Sequence, residues 1–360
     1  MIFKAHYILF FSSFLISLIS ICILIKNAQK INLIDHPDDR KVHNTSTPQV
    51  GGLGIVLTFI VIALSSIIID FKILDISLFE SYILIISSLI IFLTGLIDDF
   101  KGISASNKFL FQIIAALILV IGFQDFQLVE WPFSNYFNSN IYNSILSIFY
   151  IVSILNAINL IDGLDGLAGG VSIIITIFFI ILSLFSGLIV SEIYILFILL
   201  GSLCAFIIFN KPPAKTFLGD TGSLFIGWLF GIISLMYAQK TSFSLAILIP
   251  IMALGLPSFD VIFVMLKRFN SKHNYRLKDK LKSIFNPDNN HLHHLIILSG
   301  ISKRMAIILL YVLTIITNFI ALFSYMQNVN LVYGIVIVLL LIFIVRYIFL
   351  WKISRKGTIK

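Results

Sequence analysis

One short segment of the sequence carries four amide and carboxylate side chains, spaced every three residues, between two long apolar runs. These side chains are Asn156, Asn159, Asp162 and Asp165. Polar groups are costly inside a bilayer, so the cluster is expected at an aqueous mouth of a membrane protein, where it binds a ligand. Two Asp-Gly pairs end the segment and expose backbone N–H groups, which suits a phosphate. A helix cap followed by a turn accounts for the Asp-Gly pairs but not for all four side chains.

Further carboxylates stand at the ends of other apolar runs. Asp98 and Asp99 end one run, and Asp220 opens another. Carboxylate and amide oxygens without cysteine ligands favour a hard cation such as Mg²⁺, bridging phosphate oxygens. Each cluster also has a simpler explanation, which is solvation of a span end for the pair and helix capping for Asp220. Their combination therefore matters more than any one of them.

Histidine and lysine side chains complete the set of residues with chemical potential. His291, His293 and His294 follow a long basic loop. Histidine is the commonest zinc ligand, but this spacing is not a strong zinc signature and no cysteine accompanies it, so phosphate binding is favoured. Lys41 and Lys215 lie in loops beside apolar runs, where either phosphate binding or membrane topology explains their charge.

The composition requires a membrane protein built from helices. Of the 360 residues, 59% are hydrophobic. A membrane helix needs about 20 apolar residues, and apolar runs close to that length recur from end to end of the chain. We therefore predict an all-α polytopic membrane protein with eleven spans, at residues 6–25, 51–69, 82–97, 109–123, 142–158, 167–187, 192–209, 222–238, 243–266, 305–326 and 331–350. The first run is too long for a signal peptide and is taken as a retained span. Residues 1–350 form a single integral-membrane domain, and residues 351–360 form a short basic cytoplasmic tail.

The basic residues are distributed unevenly between the connections. Alternating the connections places 22 of the 25 lysines and arginines on one side, and only Lys4, Lys72 and Lys240 on the other. The positive-inside rule makes the rich side cytoplasmic, with the N-terminus outside and the C-terminus inside. Five polar loops, at 27–50, 98–108, 156–166, 210–221 and 267–304, fall on the cytoplasmic side, which predicts one site at that membrane boundary. The net charge of +8 is thus a topology signal and not evidence for nucleic-acid binding.

In their order and spacing, these motifs resemble the polyprenyl-phosphate N-acetylhexosamine-1-phosphate transferases, a family that includes the phospho-MurNAc-pentapeptide transferases. The resemblance covers nearly the whole chain. It rests on Arg40-Lys41, His43, Pro48, Gly51-Gly52, Asp98-Asp99, Asn107-Lys108-Phe109 with Gln112, the segment 156–166, Asn210, the segment 217–223 and His291-Leu292-His293-His294. It implies attack of a membrane polyprenyl phosphate on the sugar-linked phosphate of a UDP-sugar, giving a polyprenyl-diphospho-sugar and UMP.

The same resemblance implies a role for each residue. Mg²⁺, with Mn²⁺ as the alternative ion, is expected on Asn159 and Asp220. Asp98 is expected to act as base or orienter for the lipid phosphate, supported by Asp99, while Lys108 steers the phosphates; direct attack is favoured over a covalent intermediate. The expected substrate-binding residues are Lys41, Asn156, Asp162, Asp165, Asn210, Phe217, His291, His293 and His294.

The histidine motif indicates a branch within that family. The His-x-His-His form, followed by Leu295-Ile296-Ile297, looks like the GlcNAc-1-phosphate branch, which starts O-antigen, common-antigen or teichoic-acid chains in the bacterial cytoplasmic membrane. The MurNAc-pentapeptide branch is the alternative. The expected partners are a UDP-N-acetylhexosamine, a polyprenyl phosphate and a second copy of the chain.

Other classes of membrane protein fit the motifs less well. A cation-coupled transporter places its acids near the bilayer midplane and usually shows internal repeats, whereas these acids stand at span ends and no repeat is visible. The CDP-alcohol phosphotransferases need an arginine shortly after the first Asp-Gly pair and further aspartates downstream. Here Ala168-Gly169-Gly170 follows, and no acid appears again until Glu192. A zinc enzyme would leave the carboxylate clusters unexplained.

Overall fold

The computed structural model describes residues 2–36, 46–68, 73, 76–123, 139–186, 192–240, 255, 259, 263, 291–327 and 331–355. The chain divides into two compact units, Met1–Ile247 and Leu248–Lys360, and each is described by itself. The single domain expected over residues 1–350 stays a prediction.

The described part of the first unit is a bundle of long helices. The helices are α1 (Ile2–Asn27), α2 (Gly51–Ile68), α3 (Leu78–Lys101), α4 (Ala105–Gly122), α5 (Ser139–Ile161), α6 (Leu167–Ser186), α7 (Glu192–Asn210) and α8 (Gly219–Lys240). Between α1 and α2, strand β1 (Ile34–Asp35) pairs antiparallel with β2 (Thr47–Pro48), with Ile34 opposite Pro48. This short ladder pairs the beginning of the α1–α2 connection with its end, just before α2.

The second unit contributes three described helices, α9 (Leu292–Leu298), α10 (Lys303–Met326) and α11 (Leu331–Arg355). The short helix α9 packs against both α10 and α11, which also pack against each other. The face of α10 that lies inside the unit carries Thr314, Thr317 and Asn318 as well as apolar residues. These three polar side chains donate hydrogen bonds to backbone carbonyls of the same helix.

Helices form here because a backbone in lipid must satisfy its own hydrogen bonds. Their ends follow local signals in the sequence. Ser77 and Glu80 form a capping box at the start of α3, and Ser104 caps α4 through the N–H of Asn107. Between these two helices Gly102 adopts a φ of +66°, a backbone conformation that glycine adopts without strain. The α3–α4 connection is therefore a tight turn.

Ten of the described helices are long and apolar enough to cross a membrane. They correspond to ten of the eleven spans expected from the sequence, and the expected span 243–266 lies almost wholly outside the described residues. The prediction of an all-α polytopic membrane protein is confirmed, and the chain is a multi-pass membrane protein. The predicted orientation, with the N-terminus outside, stays a prediction.

Helix α8 lies at the centre of the first unit. Within its span 94% of the residues are buried, against 22% for α1, so α1 presents most of its surface outward. Helix α8 packs against α5, α3 and α2. Glycine permits these close approaches, since a Cβ added at Gly227 would lie 2.7 Å from the Cα of Leu155 on α5. The first turn of this buried helix carries the acidic residue around which the polar side chains gather.

Candidate active site

Polar side chains from several helix ends meet at one end of the first unit. The end of α3, the start of α4, the end of α5 and the start of α8 are joined by side-chain hydrogen bonds. The loop before α2 joins them through Gln49 and Pro48. The predicted convergence of the loops at 27–50, 98–108, 156–166 and 210–221 is therefore confirmed. The fifth predicted loop, 267–304, belongs to the other unit, and residues 267–290 lie outside the described residues.

Lys108 links two carboxylates that come from different helices. Its Nζ lies 2.8 Å from Oδ2 of Asp98 on α3 and forms a second ion pair with Oδ2 of Asp220 on α8. Asp98 also accepts a hydrogen bond of 2.8 Å from the N–H of Ile103 through Oδ1. The three predicted residues Asp98, Lys108 and Asp220 are thus brought together. One ammonium between two carboxylates leaves the group with a net negative charge.

Asp99 points away from this ion-pair group and toward the start of α8. Its Oδ1 accepts hydrogen bonds of 2.8 Å from Gln49 Nε2 and from the N–H of Asp220. Its Oδ2 accepts bonds of 2.9 Å from the N–H of Thr221 and 2.5 Å from the Thr221 hydroxyl. The two adjacent aspartates of the sequence motif therefore have different partners.

Asn159 and Asp162 occupy the end of α5 and the turn after it. Asn159 donates a hydrogen bond of 2.8 Å from Nδ2 to Ser223 Oγ on α8, so the amide nitrogen is in use and the amide oxygen faces elsewhere. Asp162 is partly exposed. Burial raises the pKa of Asp162 to about 8, and the negative charges of Asp220, Asp99 and Asp165 contribute to the same shift. Asp162 is therefore protonated at neutral pH when no cation is bound.

This donor set fits a hard divalent cation. Among the described residues no group of three or more histidine, cysteine or carboxylate side chains is placed to hold a metal ion. Mg²⁺, however, is usually bound through one or two protein oxygens, with water and substrate phosphates completing its shell. The amide oxygen of Asn159 and the carboxylate of Asp220 are oxygen donors of that kind, and their role as ligands stays a prediction. The carboxylates around Asp162 favour a cation.

Two of the predicted substrate-binding amides form hydrogen bonds within the protein. Asn156 donates from Nδ2 to Gln112 Oε1 at 2.7 Å and to the carbonyl of Val152 at 2.8 Å, and Gln112 is fully buried. Asn210 accepts from the N–H of Gly166 and donates to the carbonyl of Thr216, both at 2.8 Å. Asn156 thus joins α5 to α4, and Asn210 joins two loops. Direct contact of either side chain with substrate stays a prediction.

Asp165 strengthens the same connection between loops. Its Oδ2 accepts a hydrogen bond of 3.0 Å from the N–H of Ala214, in the loop between α7 and α8. Phe217, further along that loop, is partly exposed. Its N–H donates a hydrogen bond to the carbonyl of Pro48, and its carbonyl accepts one from the N–H of Gly51 at the start of α2. The predicted role of Phe217 as a stacking surface stays a prediction.

The three histidines lie together in the second unit, at the start of α9. The rings of His291 and His293 are 6.0 Å apart between centroids, and those of His293 and His294 are 4.1 Å apart. Burial lowers the pKa of His293 to about 3, with the neighbouring histidines adding to the shift. His293 is therefore neutral at pH 7. Lys41, the remaining predicted residue, lies outside the described residues.

Three contacts of the site were not predicted from the sequence. Gln49 and Thr221 bind the Asp99 carboxylate, and Ser223 binds Asn159. Thr221 and Ser223 stand in the same motif as Asp220, and their small hydroxyl side chains one and three residues after an acid could have suggested partners. Nothing in the local sequence distinguishes Gln49 from an ordinary loop residue.

Comparison with known proteins places this site in a family. The glycosyl transferase family 4 profile matches residues 81–238, a range that includes every carboxylate and amide of the cluster from Asp98 to Asp220. A relative from Bacillus subtilis, described as a probable undecaprenyl-phosphate N-acetylglucosaminyl 1-phosphate transferase, is 32% identical over 309 residues, covering 84% of this chain and 81% of the relative.

Two further relatives represent both branches considered from the sequence. An undecaprenyl-phosphate alpha-N-acetylglucosaminyl 1-phosphate transferase of Thermotoga maritima is 26% identical, with 79% of this chain and 77% of the relative covered. A phospho-N-acetylmuramoyl-pentapeptide-transferase of Staphylococcus saprophyticus is 30% identical, with 66% and 78% covered. The resemblance inferred from the motifs is confirmed, and the chain belongs to glycosyl transferase family 4.

Proposed function

We propose that this protein transfers N-acetylglucosamine 1-phosphate from its UDP derivative to a polyprenyl phosphate in the membrane. An oxygen of the lipid phosphate attacks the phosphorus next to the sugar, a new P–O–P bond forms, and the bond to the uridine-bearing phosphate breaks. UMP leaves, and the lipid carries a diphospho-sugar. The observation that carries this proposal is the group formed by Asp98, Lys108 and Asp220 at the ends of membrane helices. The names of relatives that cover most of the chain support the same reaction.

The ion-pair group supplies what phosphoryl transfer needs, which is mainly positioning and charge stabilisation. Asp98 accepts one hydrogen bond at each carboxylate oxygen, which leaves acceptor capacity to orient the lipid phosphate or to take a proton from it. Lys108 has three donors on its ammonium and uses two of them on carboxylates. Its remaining donor and its charge are available to a phosphate oxygen.

Mg²⁺, or Mn²⁺ in its place, is the proposed cofactor, held by Asn159 and Asp220. When bound, the cation neutralises the diphosphate of the UDP-sugar. The neighbouring Asp162, whose pKa burial and nearby carboxylates raise to about 8, would lose its proton when the cation binds. The hydrogen bond from Asn159 to Ser223 fixes the amide so that its oxygen, rather than its nitrogen, is presented to a ligand.

The proposed setting is the bacterial cytoplasmic membrane, with the site facing the cytoplasm. A nucleotide sugar is a soluble cytoplasmic compound, and the strong excess of basic residues on one side of the predicted topology supports that orientation. The reaction would then be the first membrane step in making a cell-envelope polysaccharide. The three histidines are proposed to contact the diphosphate or the sugar.

A second donor sugar is favoured by one specific observation. The Staphylococcus saprophyticus relative is named for transfer of phospho-N-acetylmuramoyl-pentapeptide and covers 66% of this chain at 30% identity. The N-acetylglucosaminyl relative from Bacillus subtilis covers 84% of the chain, so N-acetylglucosamine ranks first. The donor must therefore be tested directly.

The test is release of UMP by the purified protein in detergent with undecaprenyl phosphate and Mg²⁺. UDP-N-acetylglucosamine, UDP-N-acetylmuramoyl-pentapeptide and UDP-glucose are supplied separately, and the lipid product is identified by mass spectrometry. We expect UMP and a polyprenyl-diphospho-sugar with the first donor, and neither product with Asp220→Asn. UMP release only from the pentapeptide donor would establish the second function. No UMP from any donor, with folded protein, would contradict the proposal.

A further inference from the structure

The carboxylate of Asp99 is fully occupied by hydrogen bonds within the protein. An ionised carboxylate offers about four acceptor positions, two on each oxygen. In Asp99, Oδ1 accepts from Gln49 Nε2 and from the N–H of Asp220, while Oδ2 accepts from the N–H and the hydroxyl of Thr221. Among the described residues, Asp98, next to it in the chain, accepts two hydrogen bonds, from the N–H of Ile103 and from Lys108. Asp99 therefore retains no acceptor position for a substrate proton or a cation.

Three of the four donors belong to the first turn of α8, and two of these are backbone N–H groups. The first N–H groups of a helix have no partner within the helix and are usually satisfied by the side chain of the capping residue. Helix α8 begins at Gly219, and neither this glycine nor the preceding Leu218 has a side-chain acceptor. Asp99 supplies the missing acceptor from α3, and its negative charge is favourable at the positive end of the α8 dipole.

The backbone around this contact is shaped for close approach. Gly219 has a φ of +71°, and a Cβ added there would lie 2.7 Å from Oδ2 of Asp99. On the facing helix, a Cβ added at Gly95 would lie 2.6 Å from the carbonyl oxygen of Asp220. Both helices thus lack a side chain where they meet. The carboxylate reaches the N–H groups because nothing stands between α3 and the start of α8.

We propose that Asp99 is a positioning residue for the reaction described above, acting as the cap of α8 from a neighbouring helix. It holds the first turn of α8, and with it the Asp220 side chain, against Asp98 and Lys108. Gln49 fixes the other side of the same carboxylate and so ties the loop before α2 to the site. Asp99 itself does not touch the reacting groups. This role rests on the proposed phosphotransfer only for its kinetic consequences, because the capping contact exists without substrate.

The direct test is hydrogen exchange of the α8 first turn in the detergent-purified protein without substrate. Asp99→Asn replaces one acceptor oxygen by an NH₂ group that faces N–H donors. We expect exchange at the amides of Asp220 and Thr221 to accelerate about tenfold or more, as for a locally opened segment. The matched control is Asp98→Asn, which removes the neighbouring carboxylate but no bond to these amides. Protection in Asp99→Asn equal to that in the wild type would overturn the proposal.

Milder variants keep the proposal testable if Asp99→Asn does not fold. Gln49→Ala and Thr221→Val each remove one of the four donors, and Thr221→Ser retains the hydroxyl. We expect faster exchange at Asp220 and Thr221 in the first two variants and recovery of protection in Thr221→Ser. The capping role would also be contradicted if Thr221→Ser did not restore protection, or if exchange were unchanged in both Gln49→Ala and Thr221→Val.

The kinetic test separates positioning from direct action. Misplacement of a catalytic group by about 1 Å can cost about 10²-fold in rate, so Asp99→Asn should lower kcat by about that factor, with the KM for the UDP-sugar little changed. Thr221→Ser should recover most of the kcat that Thr221→Val loses. Complete loss of activity in Asp99→Asn with wild-type exchange at α8 would show that Asp99 acts on the reactants and would overturn the proposal. Absence of UMP release in the wild type would contradict the proposed function and leave the exchange test intact.

Discussion

Asp98 and Lys108 form an ion pair whose two members still have unused hydrogen-bonding capacity. Lys108 also binds Asp220 on the central helix, so one ammonium connects the residue proposed to orient the acceptor lipid with the residue proposed to hold the cation. Carboxylates that flank one ammonium are expected in a site that brings two phosphates together through a divalent cation.

Replacing Asp98 by asparagine should impair chemistry more than binding. The amide keeps the shape of the carboxylate but cannot accept a proton, and loss of a general base typically costs about 10²–10⁴-fold in rate. We expect kcat for UMP release to fall within that range while the KM for the UDP-sugar changes little. Glu80→Gln, at the opposite end of α3, is the control and should retain wild-type kcat. A large rise in KM with an intact kcat would make Asp98 a binding residue instead.

Asp220→Asn and Asn159→Ala should each weaken the dependence of activity on Mg²⁺. Loss of the Asp220 charge, or of the Asn159 oxygen, lowers the affinity for a hard cation and displaces the diphosphate. The measurement is UMP release against Mg²⁺ concentration in detergent, and we expect the half-maximal concentration to rise in both variants. Ser223→Ala, which removes only the partner of the Asn159 amide, should give a smaller rise. Unchanged activation curves in both ligand variants would refute the assignment.

Asp162 should make cation binding depend on pH. With a pKa raised to about 8 by burial and by nearby carboxylates, Asp162 carries a proton at neutral pH when no cation is bound. A bound cation favours the charged form, so Mg²⁺ binding should release a proton below pH 8 and should tighten as the pH rises toward that value, by up to about tenfold per pH unit. Calorimetry in two buffers of different ionisation enthalpy measures the released proton. Equal proton release from wild type and Asp162→Asn would contradict this linkage.

The loops after α5 and after α7 are held to each other rather than left open to solvent. Asn210 joins Gly166 to Thr216, and Asp165 binds the N–H of Ala214. The α7–α8 loop is in turn hydrogen-bonded to the start of α2 through Phe217 and Leu218. The polar segment between α5 and α6 is therefore part of a braced assembly, and its side chains are positioned before a ligand arrives.

Asn210→Ala should destabilise the protein measurably. The variant leaves a buried N–H and a buried carbonyl without their partner, and each such loss costs about 1–3 kcal/mol. We expect a lower Tm in detergent and faster proteolysis of the loop 211–218. Asn27→Ala is the matched control, because that exposed amide bonds only to the carbonyl of Ile23 on its own helix, and it should shift the stability by less than about 0.5 kcal/mol. Equal shifts for both variants would argue against a bracing role for Asn210.

The helix bundle of the first unit surrounds α8, and its polar end is the end where α1, α3, α5 and α7 finish. All side chains of the site in this unit come from that end. In a multi-pass protein such an arrangement exposes the chemistry to one aqueous compartment only. The excess of basic residues on that side favours the cytoplasm as this compartment, and the orientation stays a prediction.

Single cysteines should report this orientation. In a background lacking Cys22 and Cys204, a cysteine at Lys215 should resist an impermeant thiol reagent in intact cells and react in inverted vesicles. A cysteine at Leu78, which is exposed at the opposite end of α3, should show the reverse pattern. The measurement is gel-shift labelling of the purified protein. Labelling of the Lys215 position in intact cells would overturn the predicted topology.

The sequence alone determined the class of the protein, most of its membrane spans and the end of the bundle that carries the site. These features are local, because span length is set by bilayer thickness and each polar cluster is contiguous in the chain. For example, the amide and carboxylate side chains from Asn156 to Asp165 indicate by themselves that a membrane helix ends there. The family resemblance then follows from the order of such segments, without knowledge of which side chains touch.

Only the tertiary structure decided how the members of each cluster divide their tasks. Successive residues on a helix point about 100° apart, so Asp98 faces Lys108 while Asp99 faces the start of α8. Asn156 turns toward Gln112 on another helix, and Asn210 closes two loops. Lys108 lies 10 residues after Asp98, but Gln112, Gly166 and the start of α8 lie more than forty residues away from the side chains that they bind. The pairing depends on how the helices pack, which no local pattern of residues contains.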